Sequence, residues 1–466
     1  MLFSSIPFLY YFLPVVLILY FIAPKKLKNS VLLLTSLVFY GWGEPKYVVL
    51  MIASILIGYV SGLLIEAFSQ KKISKLFLWL SVGINIGFLA YFKYADFFIE
   101  NFNAATGLSI PLLRIALPIG ISFYTFQILS YTVDVYRKDV PAQKNLINLA
   151  AYVTMFPQLI AGPIVRYSHI AKELENRNIN VENFAKGMRR FILGLGKKIL
   201  IANTLGELCD IFKQSDDKSV LFYWLYAVAF MLHVYFDFSS YSDMAIGLGR
   251  IFGFNFWENF NYPFISKSAT EFWRRWHMSL GTWFRDYVYI PMGGNRVSKP
   301  KWFFNIFVVW FLTGFWHGAD WTFIVWGLYF AIFLILEKLL YLKYLEKSKI
   351  LSRVYLLVVV GISFVIFNAT DIKEAISYIG GMFGAGGVPL VSTEFFYYLK
   401  SFGITLGIGL IGCTPIVKKT VEKIKENAIG GKIIAVIEPI SLIALLIVMT
   451  AYLVDGSFNP FLYFRF

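Results

Sequence analysis

The side chain with the strongest case for chemistry is His317, which lies near the middle of an apolar run from Trp302 to Leu336, with Asp320 shortly after it. An imidazole at membrane depth is costly and by default indicates a functional site. Burial disfavours the charged ring, which leaves the neutral form that a general base requires. We therefore predict that His317 is a catalytic base and that Asp320 or a neighbouring polar group orients its imidazole. A buried histidine bonded to a backbone carbonyl is the structural alternative.

A second group of reactive or charged side chains lies between Asn255 and Lys301, the longest region without a long apolar run. Arg274 and Arg275, like the Lys197–Lys198 pair earlier in the chain, could hold the phosphates of a cytoplasmic donor, or they could anchor the chain at the membrane surface. For His277, the interpretation favoured on chemistry alone is packing at the membrane interface, with cation–π contacts among these arginines and the neighbouring tryptophans. Helical spacing predicts one continuous amphipathic helix on the cytoplasmic side, with its apolar face formed by Trp273, Trp276, His277, Leu280, Trp283, Phe284 and Tyr287.

The remaining candidate residues give weaker evidence for a functional site. His233 lies one turn from Asp237 and could form either a polar relay or a core hydrogen bond, while His169 lies in a loop. Cys209 and Cys413 lie far apart in apolar segments and have neither disulfide nor metal spacing. We therefore predict no metal site and no tightly bound cofactor.

Composition identifies the elements that must position these residues as membrane helices. The 466 residues are 58% hydrophobic and 15% charged, with a mean hydropathy of +0.65. The net charge of +15 is explained by basic cytoplasmic loops, so a nucleic-acid-binding protein is not expected. Residues 6–23 lack a basic leader and a cleavage site, and we interpret them as a retained span.

The long run around His317 predicts a hairpin. About 35 apolar residues exceed the roughly 20 that one crossing needs, and Gly318 and Ala319 interrupt the run near its centre. Lysines and arginines flank both ends, which places both ends in the cytoplasm. The tip with His317 then lies within the membrane or near its far face, where it must face protein or water.

The same charge rule, applied along the chain, predicts an all-α, polytopic helical bundle with about eleven crossings and both termini outside the cytoplasm. Residues 146–167 are apolar but interrupted by Pro157, Gly162 and Pro163, which predicts a re-entrant segment. A polar segment from Asp96 to Arg114 is expected to be external. The whole chain, 1–466, is predicted to be one membrane domain, with residues 455–466 as an external aromatic tail.

Four motifs resemble a known family. They match the signature of the membrane-bound O-acyltransferase (MBOAT) family, and most closely its bacterial branch that acts in alginate and peptidoglycan O-acetylation and in teichoic-acid D-alanylation. The likeness covers essentially the whole chain, and the motifs are EFWRRWHMSLGTWFRDYVYIPMGGNR, GFWHGADWTFIVWG, LPIGISFYTFQILSYTVDVYR and FPQLIAGPIVRY.

The resemblance implies a helical bundle around a central funnel, His317 as the family's catalytic histidine and His277 as its second conserved histidine. The final FLYFRF is similar to an aromatic motif in which a tyrosine, here Tyr463, takes the acyl group and passes it on. The implied donor is acetyl-CoA or another acyl thioester, bound to CoA or to an acyl carrier on the cytoplasmic side. The implied partner is an extracytoplasmic SGNH-type transferase, and the implied location is the bacterial inner membrane.

The resulting hypothesis is a membrane O-acetyltransferase that serves an extracytoplasmic polysaccharide. D-alanyl transfer to teichoic acid remains an alternative, although the chain is longer than those members and carries its own tail motif. A non-enzymatic permease is a second alternative; such proteins often contain internal repeats, and the sequence shows none. A lipid-modifying acyltransferase fits the tail less well.

Overall fold

The computed structural model describes residues 2–455 and 461–462, and every regular element within them is helical, as predicted. The α-helices are α1 (Leu13–Ile22), α2 (Lys28–Gly43), α3 (Val48–Ala67), α4 (Ile73–Leu89), α5 (Ala95–Thr106), α6 (Ile121–Arg137), α7 (Leu146–Thr154), α8 (Phe156–Leu159), α9 (Tyr167–Glu175), α10 (Val181–Gly196), α11 (Asn203–Gln214), α12 (Val220–Ile251), α13 (Ala269–Trp273), α14 (Met278–Phe284), α15 (Lys299–His317), α16 (Trp321–Leu336), α17 (Leu342–Lys347), α18 (Lys349–Asn368), α19 (Ile372–Met382), α20 (Thr393–Gly412), α21 (Ile416–Glu426) and α22 (Ala428–Val454).

Short turns of other helix types extend or join these elements. The π-helical turns are Pro7–Phe12, Ala90–Tyr94, Lys197–Ala202, Arg285–Tyr289 and Glu337–Tyr341. The 3₁₀ turns are Lys25–Leu27, Pro45–Tyr47, Pro263–Ile265 and Ala385–Gly387. The chain divides into two compact units, one of residues 1–191 and 242–257 and the other of residues 192–241 and 258–466. The prediction of one membrane domain stays a prediction.

The chain is a multi-pass membrane protein. Among the described residues, seven helical stretches are long and apolar enough to cross a membrane: Pro45–Ala67, Ile73–Thr106, Val220–Ile251, Trp321–Lys347, Lys349–Asn368, Thr393–Gly412 and Ala428–Val454. The figure of about eleven crossings also counted shorter or interrupted segments, and that number stays a prediction.

Two segments of the first unit that the sequence singled out have a defined local structure. The segment of residues 146–167 is interrupted between α7 and α8 at Met155, and the Tyr152 hydroxyl donates to the Val165 carbonyl at 2.9 Å to close the bend. That the segment is re-entrant stays a prediction. The segment from Asp96 to Arg114 is helical as far as Thr106, and its external location stays a prediction. The Asp96 carboxylate then accepts two backbone N–H groups of the loop that follows α5.

The predicted hairpin is present in the second unit as α15 and α16, which are separated only by residues 318–320. Two glycines allow the helices to approach closely. A Cβ at Gly314 would lie 2.3 Å from the Phe323 carbonyl oxygen, and one at Gly327 would lie 2.3 Å from the Trp310 carbonyl oxygen. Small residues at such crossings let backbones meet in a membrane, and here they bring the two arms together one turn before His317.

The amphipathic helix predicted over Trp273–Tyr287 is not continuous, so that prediction is wrong. Helix α13 ends at Trp273, and α14 begins only after His277, whose φ of 44° is left-handed. The physical reason is a competing set of backbone bonds. Met278 donates to the Asn259 carbonyl at 3.0 Å and Asn261 donates to the Arg275 carbonyl at 2.9 Å, so residues 259–261 hold the turn open. Most of the predicted apolar face is nevertheless buried.

Candidate active site

His317 is the last residue of α15, and its ring is fixed by the helix that carries it. Its Nδ1 lies 2.7 Å from the carbonyl oxygen of Thr313, one turn earlier, which is the contact that the structural alternative predicted. A carbonyl oxygen only accepts hydrogen bonds, so Nδ1 carries the hydrogen of the neutral ring. Nε2 then holds the lone pair, which makes it the atom able to accept a proton.

Aromatic rings surround the half-buried imidazole of His317. Trp326 of α16 lies 4.9 Å away between ring centroids, and Phe367 of α18 lies 5.7 Å away. Both rings are buried, and both meet the imidazole edge to face. Three different helices therefore build one apolar enclosure around His317.

Asp320, which was predicted to orient the imidazole of His317, caps the start of α16. It is the N-cap of α16, and its Oδ1 accepts from the backbone N–H of Thr322 at 2.8 Å and from the Thr322 hydroxyl at 2.9 Å. Capping of this kind satisfies donors that a helix start leaves without partners. The orienting contact seen at Nδ1 of His317 comes from Thr313, and orientation through Asp320 stays a prediction.

His277 is more deeply buried than its predicted position at the cytoplasmic edge of the membrane implies, with only 1% of its surface exposed. Its Nδ1 lies 3.2 Å from Oδ1 of Asn259, and that oxygen also accepts from the Ser279 backbone N–H at 3.1 Å. The shared acceptor assigns the hydrogen of His277 to Nδ1. Within the described part of the chain, no hydrogen bond reaches the buried Nε2.

The two histidines belong to the same site. The ring of His277 packs on Trp316, the residue before His317, at 6.1 Å between centroids, and on Phe238 of α12 at 4.6 Å. Burial holds the pKa of His277 well below its usual range, and positive charge on His317 lowers it further. Both rings therefore contact Trp316, and the Nδ1 of each lies against a fixed acceptor oxygen.

The paired arginines have different surroundings. Arg275 bonds to Glu271, with 2.9 Å between Nη2 and Oε1, and it also donates to the Asn261 carbonyl. Arg274 is exposed and lines a groove of about 990 Å³ in the second unit. Of the two residues predicted to bind a donor, the structure therefore places only Arg274 on this groove.

Sequence reasoning did not single out the other cations of this groove. Arg285, Arg296 and Lys338 line it together with Arg274, while its lining contains no aspartate or glutamate. Apolar side chains from α15 and α16 form another part of its lining, among them Trp302, Ile306 and Leu334. A groove that is both basic and partly apolar suits an anionic molecule with an apolar arm.

His233 forms the core hydrogen bond that was one of its two predicted roles. Its Nδ1 lies 2.7 Å from the Ala202 carbonyl oxygen. Asp237, its predicted relay partner, instead forms a buried ion pair with Lys198, with 2.6 Å between Nζ and Oδ1. The predicted role of Lys198 in holding a donor phosphate is therefore not supported, since its side chain is buried against a carboxylate. An ionisable residue in an apolar segment was the available signal for this pair.

Phe461 and Leu462, near the end of the sequence, contact this ion pair of Lys198 and Asp237. Phe461 and Leu462 are buried, with 1% and 8% of their surfaces exposed, and the Leu462 backbone N–H donates to Oδ2 of Asp237 at 2.7 Å. Tyr463, the predicted acyl acceptor, lies outside the described residues. Its role stays a prediction.

Comparison with known proteins identifies the family of this chain. The model of the membrane-bound O-acyltransferase family matches residues 70–380, which include both histidines and the basic groove. The chain belongs to the membrane-bound O-acyltransferase family. It is therefore an acyltransferase, and the permease alternative is wrong.

Individual relatives of this O-acyltransferase extend the likeness beyond the family model. The probable alginate O-acetylase AlgI of Pseudomonas putida is 39% identical, and the match covers 100% of both chains. The peptidoglycan O-acetyltransferase of Helicobacter pylori is 34% identical over 84% of this chain and 81% of its own length. The teichoic acid D-alanyltransferase of Bacillus subtilis is 32% identical, but over only 46% of this chain and 57% of its own.

Proposed function

We propose that this O-acyltransferase takes an acetyl group from a cytoplasmic thioester and delivers it, through its own tail and a partner enzyme, to an extracytoplasmic polysaccharide. The donor is acetyl-CoA or a carrier-bound acetyl group. The acceptor polymer is alginate, peptidoglycan or a related cell-surface polysaccharide. This proposal is supported by O-acetylating relatives that match 84% or more of the chain.

The observation that carries the proposal is the hydrogen bond between His317 Nδ1 and the Thr313 carbonyl. In the neutral ring this bond leaves Nε2 as the basic atom, and the aromatic enclosure limits competing water around it. In the proposed step, Nε2 of His317 removes the phenolic proton of Tyr463 as the phenol oxygen attacks the thioester carbonyl. The carbon–sulfur bond breaks, and the proton passes from His317 to the leaving thiolate.

The basic groove is the proposed donor site. Arg274, Arg296 and Lys338 would hold the phosphates, and the pantetheine arm would follow the apolar wall. Ile306 lines the groove on α15, and His317 ends the same helix. At about 1.5 Å per residue, these residues are about 16 Å apart along the helix axis, a span comparable to an extended pantetheine arm.

His277 is proposed to accept a hydrogen bond from the bound substrates through its buried Nε2, because a buried acceptor without a partner is costly. Asp320 contributes through the position of α16, which carries Trp326 against His317. The acetylated tyrosine would then be consumed by an extracytoplasmic transferase of the SGNH type. The positive-inside rule supports an inner-membrane location with both chain ends outside.

D-alanyl transfer is the second candidate donor chemistry. It is less favoured because the D-alanyltransferase relative matches less than half of the chain. A direct comparison would incubate the purified protein with labelled acetyl-CoA in one reaction and with a labelled D-alanyl carrier thioester in another. The measurement is which label reaches Tyr463.

The catalytic assignment is tested with purified His317→Ala protein, labelled acetyl-CoA and detection of acetyl-tyrosine in the C-terminal peptide. The expected result is loss of transfer by at least about 100-fold, the lower range for a general base. His169→Ala is a matched control, since His169 stacks on Trp257 in the first unit, 3.7 Å between ring centroids. Undiminished transfer in His317→Ala would refute the assignment.

The acceptor is tested in cells with Tyr463→Phe, which should abolish acetylation of the exported polymer while the protein level stays normal. Normal polymer acetylation in that variant would return the tail to a simple membrane anchor.

A further inference from the structure

We propose that Lys198 and Asp237 form a docking site for the C-terminal segment and position Tyr463 for acylation. This inference rests on the proposed function for its purpose, although the docking itself does not depend on it. The site consists of Lys198 in the π-helical turn after α10, Asp237 and Tyr241 on α12, and the tail residues Phe461 and Leu462. All of them belong to the second unit.

The ion pair of Lys198 and Asp237 leaves one carboxylate oxygen of Asp237 to accept a further hydrogen bond. The side chains of Lys198 and Asp237 have only 0% and 4% of their surfaces exposed. Oδ1 of Asp237 is bonded to Lys198, while Oδ2 accepts the backbone N–H of Leu462. A carboxylate in a buried helix that is long and apolar enough to cross a membrane is costly unless both oxygens are satisfied. The backbone N–H of Leu462 in the tail donates a hydrogen bond to Oδ2, the second oxygen of Asp237.

A second contact fixes the residue before Leu462. The Phe461 ring lies under the ammonium of Lys198, with 4.6 Å from Nζ to the ring centroid, and it meets the ring of Tyr241 edge to face at 5.1 Å. Asp237 and Tyr241 are four residues apart on α12 and therefore lie on one face. A backbone hydrogen bond and an aromatic seat together set both the register and the direction of the tail.

The docking site is next in sequence to a residue that contacts His277. Phe238, the neighbour of Asp237 on α12, packs its ring on His277 at 4.6 Å. Its Cα lies about 3.8 Å from that of Asp237. One stretch of α12 therefore holds the tail through Asp237 and supports the catalytic region through Phe238. Since one peptide bond joins Leu462 to Tyr463, seating Leu462 limits where an acceptor hydroxyl can be.

Docking is measured without any acyl transfer, in full-length protein that also carries His317→Ala. A Leu462→Cys probe keeps the backbone N–H, and the rate at which its thiol is alkylated reports how often the tail leaves its seat. Asp237→Asn removes the charge that accepts the N–H. Phe461→Ala, which leaves the ion pair intact, provides a second variant if Asp237→Asn fails to fold. Glu438→Gln, which breaks the partly exposed ion pair with Lys425, is the matched control.

The expected result is alkylation of the probe thiol faster by roughly 10- to 100-fold in Asp237→Asn, as loss of a charge-assisted hydrogen bond implies. Phe461→Ala should also accelerate it, and Glu438→Gln should not. If the probe thiol reacts as fast in the parent protein as in both tail-site variants, the docking site is refuted.

Positioning is measured in protein with an intact His317, by the initial rate at which Tyr463 becomes acetylated. Leu462→Pro removes the N–H donor, and Leu462→Ala retains it. We expect at least a tenfold lower rate for Leu462→Pro and a change of less than about threefold for Leu462→Ala. Equal rates in the two variants would overturn the positioning role. If wild-type protein never acetylates Tyr463 while the alkylation pattern holds, the acceptor step of the proposed function fails and docking stands.

Discussion

Replacing Gly314 by alanine tests whether the hairpin crossing positions His317. Gly314 faces α16, and its carbonyl accepts the backbone N–H of Gly318 just beyond the end of α15. The added Cβ would lie 2.3 Å from the Phe323 carbonyl oxygen and 3.3 Å from Cα of Gly327. Both are backbone atoms of α16, so no change of side-chain rotamer can relieve the contact.

The magnitude follows from the shortfall in distance. A carbon atom packs on its neighbours at about 3.5 Å, so α15 and α16 must separate by roughly 1 Å. Overpacking of this kind costs about 1–3 kcal/mol, and the better helix propensity of alanine offsets up to about 1 kcal/mol of that. A displacement of about 1 Å at a catalytic group costs on the order of 100-fold in rate. We therefore expect a larger loss of activity than of stability.

The assay compares acetyl-transfer rate and thermal unfolding midpoint for Gly314→Ala with those for Gly407→Ala. Gly407 lies in α20 of the same unit, where no heavy atom lies within 4 Å of an added Cβ. The control should keep its activity and unfold at the same or a slightly higher temperature. If Gly314→Ala transfers acetyl groups within about threefold of the wild-type rate, the hairpin crossing does not set the position of His317.

Three further predictions follow from the site. Arg274→Ala should weaken CoA binding by about tenfold, as expected for a charged hydrogen bond, and Arg275→Ala should change it little because Arg275 is bonded to Glu271; titration calorimetry compares the two. Asn259→Ala should destabilise the fold by about 1–3 kcal/mol, because it removes the acceptor at His277 Nδ1; denaturant midpoints measure this. His277 stays neutral in the fold because burial lowers its pKa, whereas the unfolded chain binds a proton below about pH 6.5. Stability should therefore fall as pH drops below that value, by up to about 1.4 kcal/mol per unit, and His277→Gln should remove this part of the dependence; unfolding midpoints between pH 5 and 7 test it.

The hairpin was predictable because its signals are local. Its length, the break at Gly318 and the flanking basic residues all lie within one short stretch of sequence. The close packing of α15 on α16 adds the contacts of Gly314 and Gly327, which sequence pattern alone does not reveal. The carbonyl that orients His317 is also local, since it belongs to the preceding helical turn. Asp320 is next to a helix start, where capping is the common role for aspartate.

The turn at His277 was not predictable from periodicity. Residues 273–287 carry a good helical pattern, but bonds from Asn259 and Asn261 hold the backbone open at Arg275 and Met278. Tertiary hydrogen bonds of this kind override local propensity. The basic groove was missed for a related reason. Its cations come from separate segments, and in sequence each is indistinguishable from a positive-inside anchor.

The contacts at the tail also bear on how an acetyl group could leave the site. A charge-assisted hydrogen bond contributes about 1.5–3 kcal/mol and a cation–π contact about 0.5–2 kcal/mol, whereas ordering each residue costs about 1–2 kcal/mol. Burial of the Phe461 and Leu462 side chains adds about 1.5–3 kcal/mol each, so the seated tail is favoured and leaves its site only transiently. Acetylation of a Tyr463 hydroxyl would change neither the Leu462 N–H nor the Phe461 ring. The docking site would thus hold the tail equally well before and after the reaction, and net release would require a partner that binds the acetylated tail.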